Sequence, residues 1–179
     1  MARQAPDGVI HLITSMNTQA LHFAINEAWI LDTLAPADTA TRAPLPTVGK
    51  ARAHEERRPD GGKATWSTAI AADGRAVLHG WERWHYPEGR LQYEARYDRG
   101  RLTGRERFFH EDGTPAWTRD HRADGTTVWT RYWPNGRKQT ESTWRNLRAE
   151  GIATAWDANG RVIRRVTFRD GVPAPPVSP

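Results

Sequence analysis

Five acidic-or-Asn–Gly turns, ending at Gly74, Gly89, Gly113, Gly136 and Gly160, punctuate the chain, and the last four glycines stand 24, 23 and 24 residues apart. A fixed period of that length means that one supersecondary unit recurs and stacks on its neighbours. Asp-Gly and Asn-Gly are the signal of a two-residue type I′ hairpin turn, because both central residues tolerate positive φ. The sequence therefore predicts β-hairpins closed by I′ turns at these glycines. Two further columns keep step with them. Nine residues before the last four glycines stand Gly80, Gly104, Thr127 and Gly151, and eight residues after them stand Tyr97, His121, Trp144 and Phe168. Thr127 and His121 are the departures.

Second turns fall at 98–104, 122–127, 145–151 and 169–173, and between turns the residues alternate with period two, as a pleated strand with two distinct faces demands. Leu91, Tyr93, Ala95 and Tyr97 point one way while Gln92, Glu94 and Arg96 point the other. Pro115, Trp117, Arg119 and His121 repeat that phase, as do Val162, Arg164, Val166 and Phe168. Consecutive hairpins that meet only their neighbours give an open antiparallel meander of about nine or ten strands. The fold class expected is mainly β with one amino-terminal α-helix.

That helix is read from residues 17–34, where Leu21, Ile25, Ala28 and Trp29 recur at spacings of three and four, with Asn17 or Thr18 as cap and Pro36 as stop. Residues 1–35 form the helical segment. Residues 36–62, with Pro36, Pro44, Pro46, Pro59 and the run HEERRPD, read as a connector. Residues 63–172 form the repeat sheet, and 173–179, VPAPPVSP from Val172 onward, a disordered tail.

Composition narrows the chemistry. With no cysteine there is no disulfide framework, thiolate metal site, iron–sulfur cluster or thiol nucleophile. The longest apolar runs fall far short of the roughly 20 residues a bilayer demands, and the first residues lack the order of a secretory signal. A cytoplasmic protein is expected. The net charge is +5, and residues 1–50 hold three cations against four acids, so the basic character belongs to the second part. All but Lys50, Lys63 and Lys138 of its cations are arginines. An Ala- and Arg-rich, Lys-poor chain is also what GC-rich coding yields, so arginine excess alone specifies no polyanion.

The stretch YEARYDRGRLTGRERFFHEDGT, Tyr93 to Thr114, resembles the MORN (membrane occupation and recognition nexus) repeat: an aromatic-Glu-x-x-aromatic strand, a charged Gly turn, a Gly opening the next strand, an aromatic pair and a final Asp-Gly turn. The next two units are similar, with Thr127 in place of the strand-opening Gly and Thr140 in place of the first aromatic. The likeness covers residues 64–172, about 60% of the chain. The PNGR and PEGR turns look most like the bacterial variant of the repeat, found in proteins described as antitoxin-like. That resemblance implies an all-β ladder used for contact with a protein or an anionic lipid, usually without catalysis; no cofactor is expected.

Eight tryptophans lie between Trp66 and Trp156. They are either cross-strand pairs that hold a thin sheet together or, interleaved with arginine, a binding platform. Trp84, Tyr86, Tyr93 and Trp117, with Arg96, Arg105 and Arg107, are the candidate contact residues. No HxxxH or HExxH spacing marks a metal site, and His121 under Tyr97 reads as packing. Were the protein an enzyme, His85, Glu94, Glu106 and His110 would supply the acid and base. Three readings follow. The first is a protein-binding module of antitoxin or immunity type that neutralises a toxin or effector through an aromatic and arginine face; the charge argues against mimicry of nucleic acid. The second is contact with anionic phospholipid or nucleic acid through Arg96, Arg99, Arg101, Arg105 and Arg107. The third is a small enzyme with a His/carboxylate cleft. An oligomer is compatible with each.

Overall fold

The computed structural model describes residues 46–174, together with the short antiparallel strands β1 (Arg3–Gln4) and β2 (Ile10–His11). The helix expected within 1–35 lies outside the described residues, as does the tail from residue 175. The rest is one open antiparallel sheet of 12 strands: β3 (Thr47–Arg57), β4 (Lys63–Ala71), β5 (Ala76–Leu78), β6 (Gly80–His85), β7 (Leu91–Asp98), β8 (Arg101–Phe109), β9 (Pro115–His121), β10 (Thr126–Tyr132), β11 (Lys138–Arg145), β12 (Arg148–Trp156), β13 (Val162–Arg169) and β14 (Val172–Pro173). The order runs sequentially from β14 to β6, then β4 and β3, with β5 beside β4. No helix occurs among the described residues, so none crosses a membrane.

Two parts of the sequence reading change. Residues 47–57, assigned to the connector, form β3, which pairs with β4 from Thr47↔Ala71 to Arg57↔Lys63. Its charges mislead because it is an edge strand, where exposed charge is the usual guard against further pairing. At the other end Pro173 pairs with Phe168, and the Ala174 N–H donates to the Thr167 carbonyl at 2.7 Å, so the tail starts later than 173.

The Asx-Gly turns are also not type I′. In 86–90 the Gly89 N–H bonds the Tyr86 carbonyl, the Tyr86 N–H bonds the Arg90 carbonyl, and only Gly89 has positive φ. This is a type I turn followed by a left-handed glycine. Pro87 explains it: a ring-fixed φ near −65° suits the first corner of a type I turn and is barred from I′. The same two bonds recur at 58–62, 110–114, 133–137 and 157–161, all on one rim of the sheet. True two-residue turns with two positive φ values sit on the opposite rim, at Arg99–Gly100, Asn146–Leu147 and Asp170–Gly171.

The two columns of the repeat turn out to be cross-strand partners: Gly80↔Tyr97, Gly104↔His121, Thr127↔Trp144 and Gly151↔Phe168. Gly104 and Gly151, at φ +69° and +76°, lie in matching bulges. Arg96 faces Thr103 while Glu94 faces Arg107, so β8 carries two residues more than β7 between those pairs; Thr143↔Glu150 and Glu141↔Thr154 do the same in β12. Thr127 cannot take such a φ cheaply, and the β9–β10 ladder runs without a bulge. That hairpin loses the two inserted residues and gains one in its longer loop, 123–125. The net deficit of one is why the middle period is 23 and not 24.

Candidate functional site

Alternation divides the side chains between an aromatic face and a groove face. On the first, rings touch strand by strand: Trp84 to Tyr93 at 4.5 Å between centroids, Tyr93 to Trp117 at 6.2 Å, Phe108 to Trp117 at 5.8 Å and Trp129 to Trp144 at 6.3 Å. Arg119 joins the two halves, its guanidinium 4.7 Å from the Trp117 ring and 4.4 Å from that of Trp129. Tyr93, Trp117, Trp129, Trp144 and Phe168 are buried. These are the cross-strand pairs of the packing reading, each worth about 0.2–1 kcal/mol relative to an Ala–Ala pair.

A polar network threads this face. Tyr93 donates its phenol to Glu106 Oε1 at 2.8 Å, His121 Nε2 lies 3.2 Å from Glu106 Oε2, Arg119 lies 3.6 Å from the same oxygen, and His121 Nδ1 meets Thr127 Oγ1 at 3.0 Å. Trp84 Nε1 donates to Glu82 Oε1 at 3.1 Å, and Tyr97 also bonds Glu82. The two carboxylates are driven apart. Burial raises Glu82 above the ordinary 4.5, and its bonds from Trp84 and Tyr97 do not offset that. Burial also pushes Glu106 up, but the bond from His121 and the charge of Arg119 outweigh it and leave Glu106 below 4.5. Burial, with Glu106 nearby, holds the Tyr93 phenol well above 10.0, so it stays a donor.

The groove face is built differently. An open groove of ≈ 940 Å³ lies over β6–β9, lined by Trp81, Glu94, Arg96, Thr103, Arg105 and Asp120 among others. Trp81 is 40% exposed and forms a ridge shared with a smaller groove beside His54 and Thr65. Two guanidiniums approach its ring, Arg83 at 4.7 Å and Arg96, its cross-strand partner, at 5.8 Å. Arg105 grips Asp120 through two bonds, of 2.6 and 3.2 Å, while the buried Glu94 accepts from Arg107 and, at 3.5 Å, from Arg83. Arg96 is exposed and makes no ion pair among the described residues.

The candidates picked from sequence are therefore split. Trp84, Tyr93 and Trp117 belong to the aromatic face, whereas Arg96, Arg105 and Arg107 line the groove. Tyr86 sits on the rim, its hydroxyl donating to the Phe109 carbonyl at 2.8 Å. No single face carries them all. Trp81 was missed, although its place in the phase opposite to Trp84 was readable. The proposed acid–base set is not assembled either. Glu94 and Glu106 lie on opposite faces, His110 opens a rim loop through its N–H bond to the Thr114 carbonyl, and His85 stands beside Gly62, where burial, Lys63 and Arg83 push it below 6.5. No cluster of three or more metal-ligating side chains occurs among the described residues.

No family model matches the chain, and no curated protein matches it. Among solved structures, a GtfA/B complex bound to UDP and GlcNAc is similar over 72% of this chain at 12% identity, with a TM-score of 0.22. This chain spans 26% of that one. At that TM-score the likeness carries neither fold nor ligand across.

Proposed function

We propose that the protein is a non-catalytic binding module that holds a protein partner on the groove face. The observation that supports this reading is the division of labour between faces. The buried carboxylates and phenols of the aromatic face are engaged with one another, while the groove leaves Trp81, Arg96 and Arg105 accessible. Tryptophan and arginine around a concavity are the residues that dominate protein–protein hot spots.

The charge pattern separates a protein from a polyanion. Four groove arginines, Arg96, Arg105, Arg107 and Arg122, stand among three carboxylates, Glu94, Asp98 and Asp120, a net of +1 with the histidines neutral. A phosphate backbone or lipid surface would meet those carboxylates and compete with existing pairs. A protein surface with both signs of charge complements them. A toxin or effector, the class implied by the resemblance to antitoxin-like repeat proteins, is the partner we assign to the groove.

The test is to recover partners on the tagged full chain in its native host, purify the protein recovered, and measure 1:1 rebinding to wild type, Trp81→Ala and Arg96→Glu. A discrete protein whose affinity falls by about tenfold or more in either variant supports the reading. Rebinding indifferent to both variants overturns it. So does recovery of nucleic acid or anionic vesicles alone, with binding that weakens steeply with salt.

A further inference from the structure

The two long edges of the sheet fit each other. Among the described residues nothing pairs with the outer side of β3, and β14 covers β13 only at Phe168 and Arg169, leaving Val162–Val166 open. Every neighbouring pair in the sheet is antiparallel, so β3 and β13, nine steps apart in the order, an odd number, run in opposite directions. A second copy in the same orientation would thus present its β3 antiparallel to the first copy's β13 and continue the ladder.

Backbone parity selects the register. The Arg58 N–H and C=O bond within the β3–β4 hairpin, so Arg57, Glu55 and Ala53 turn theirs outward. The Thr167 carbonyl accepts from Ala174 on the outer side, so Arg165 also turns outward, on the near side of the register shift at Ile163. Outward groups meet outward groups when Glu55 faces Arg165. The same register sets Glu56 against Arg164 and His54 against Val166. Faces agree as well. Glu55 pairs with Thr65, which pairs with Arg83, placing it on the groove face, the face of Arg165; Glu56 and Arg164 share the other. Opposite charges directly across a ladder stabilise it, and like charges disfavour it. Val162 and Ile163, 38% and 47% exposed, would be covered.

We propose that β13 of one copy pairs with β3 of a second copy, head to tail, through Glu55–Arg165 and Glu56–Arg164. Glu55 already lies 3.5 Å from Lys63, an exposed contact that the new pair would share. Such a contact is heterologous and propagates until a ring closes or growth stops. Self-pairing of either edge is disfavoured, since it would set Arg164–Arg165 or Glu55–Glu56 against their own kind.

Two experiments on the full chain test this. The chain has no cysteine, so His54→Cys/Val166→Cys places thiols at a non-hydrogen-bonded pair across the junction. A ladder of covalent multimers on oxidation is expected, and none from His54→Cys/Arg165→Cys, whose thiols would point to opposite faces. In sedimentation, Glu55→Arg/Glu56→Arg and Arg164→Glu/Arg165→Glu should each remove the species heavier than the monomer, and an equimolar mixture of the two should restore them, because each altered edge then meets its complement. Restoration also shows that both variants are folded. Absence of the ladder, a dimer formed by His54→Cys alone, or a mixture that stays monomeric overturns the proposal.

Discussion

His121 and Thr127, the two residues that break the columns of the repeat, are bonded to each other, Nδ1 to Oγ1 at 3.0 Å, across the β9–β10 ladder. Physically they are one substitution. Threonine closes the bulge that glycine opens in β8 and β12, and its hydroxyl then occupies one ring nitrogen of the histidine that replaces an aromatic. The other nitrogen is held by Glu106.

Restoring the repeat at one position alone should therefore weaken the fold. Thr127→Gly leaves a buried ring nitrogen without its partner and adds glycine's entropy, for a loss of about 1–3 kcal/mol in urea unfolding. Thr127→Ser should keep most of the stability. Equal losses in the two variants would show that the hydroxyl contributes nothing.

The two buried carboxylates give opposite pH signatures. Glu106 has a depressed folded-state value, so it stabilises the fold above 4.5, and that contribution disappears as pH falls through the depressed value. Glu106→Gln should cost about 2–3 kcal/mol at neutral pH and progressively less in acid. Glu82 is raised, so its ionised form weakens the fold once pH passes 4.5 and climbs through the raised value. Glu82→Gln should raise Tm at neutral pH and leave it unchanged in acid. Parallel Tm–pH curves for wild type and both variants would refute this assignment.

The division into two faces predicts unequal tryptophans. Trp117→Ala, which removes contacts to Tyr93, Phe108 and Arg119, should cost about 3–5 kcal/mol. Trp81→Ala, on the exposed ridge, should cost about 1 kcal/mol or less. Similar losses at both sites, by chemical unfolding, would mean that the groove is part of the core.

Backbone conformation supplies a fourth comparison. Leu147 holds φ +65° in a two-residue turn with its side chain 43% exposed, so Leu147→Gly should stabilise by about 1 kcal/mol. Gly104→Ala has room for the methyl group but the wrong φ, and should cost about 1–2 kcal/mol. Gly62→Ala should cost more than either, because a Cβ there would fall 2.3 Å from the His85 carbonyl oxygen. Scanning calorimetry ranks the three.

The period, the alternation and the strand-opening glycines were legible because each is a local demand on one or two residues. Pro87 and Pro134 also carried the turn type, for their ring excludes a positive φ at that corner, but the Asx-Gly dipeptide spoke louder. β3 was hidden because an edge strand and a charged connector share a composition. The site resisted for another reason. Which arginine faces which carboxylate depends on register, and the bulge at Gly104 shifts register by two residues: Arg107 meets Glu94, and Arg105 is passed to Asp120. Hydrophobic pattern alone cannot count those inserted residues.

Side chains tie neighbouring rim loops: Arg58, at the loop of Gly61, donates to Gln92 just past the loop of Gly89. Tyr86 and Arg90 reach the carbonyls of Phe109 and Glu111, and Trp133 and Asn135 reach those of Trp156 and Ala158. Among the described residues no such side-chain tie joins the loop at Gly113 to the loop at Gly136. Under tension between its two ends the sheet would peel from an edge or part at the seam between β9 and β10, which no rim-loop side chain bridges and which is held on its faces by the His121–Thr127 bond, the Thr118–Tyr132 contact and Arg119 lying over both Trp117 and Trp129.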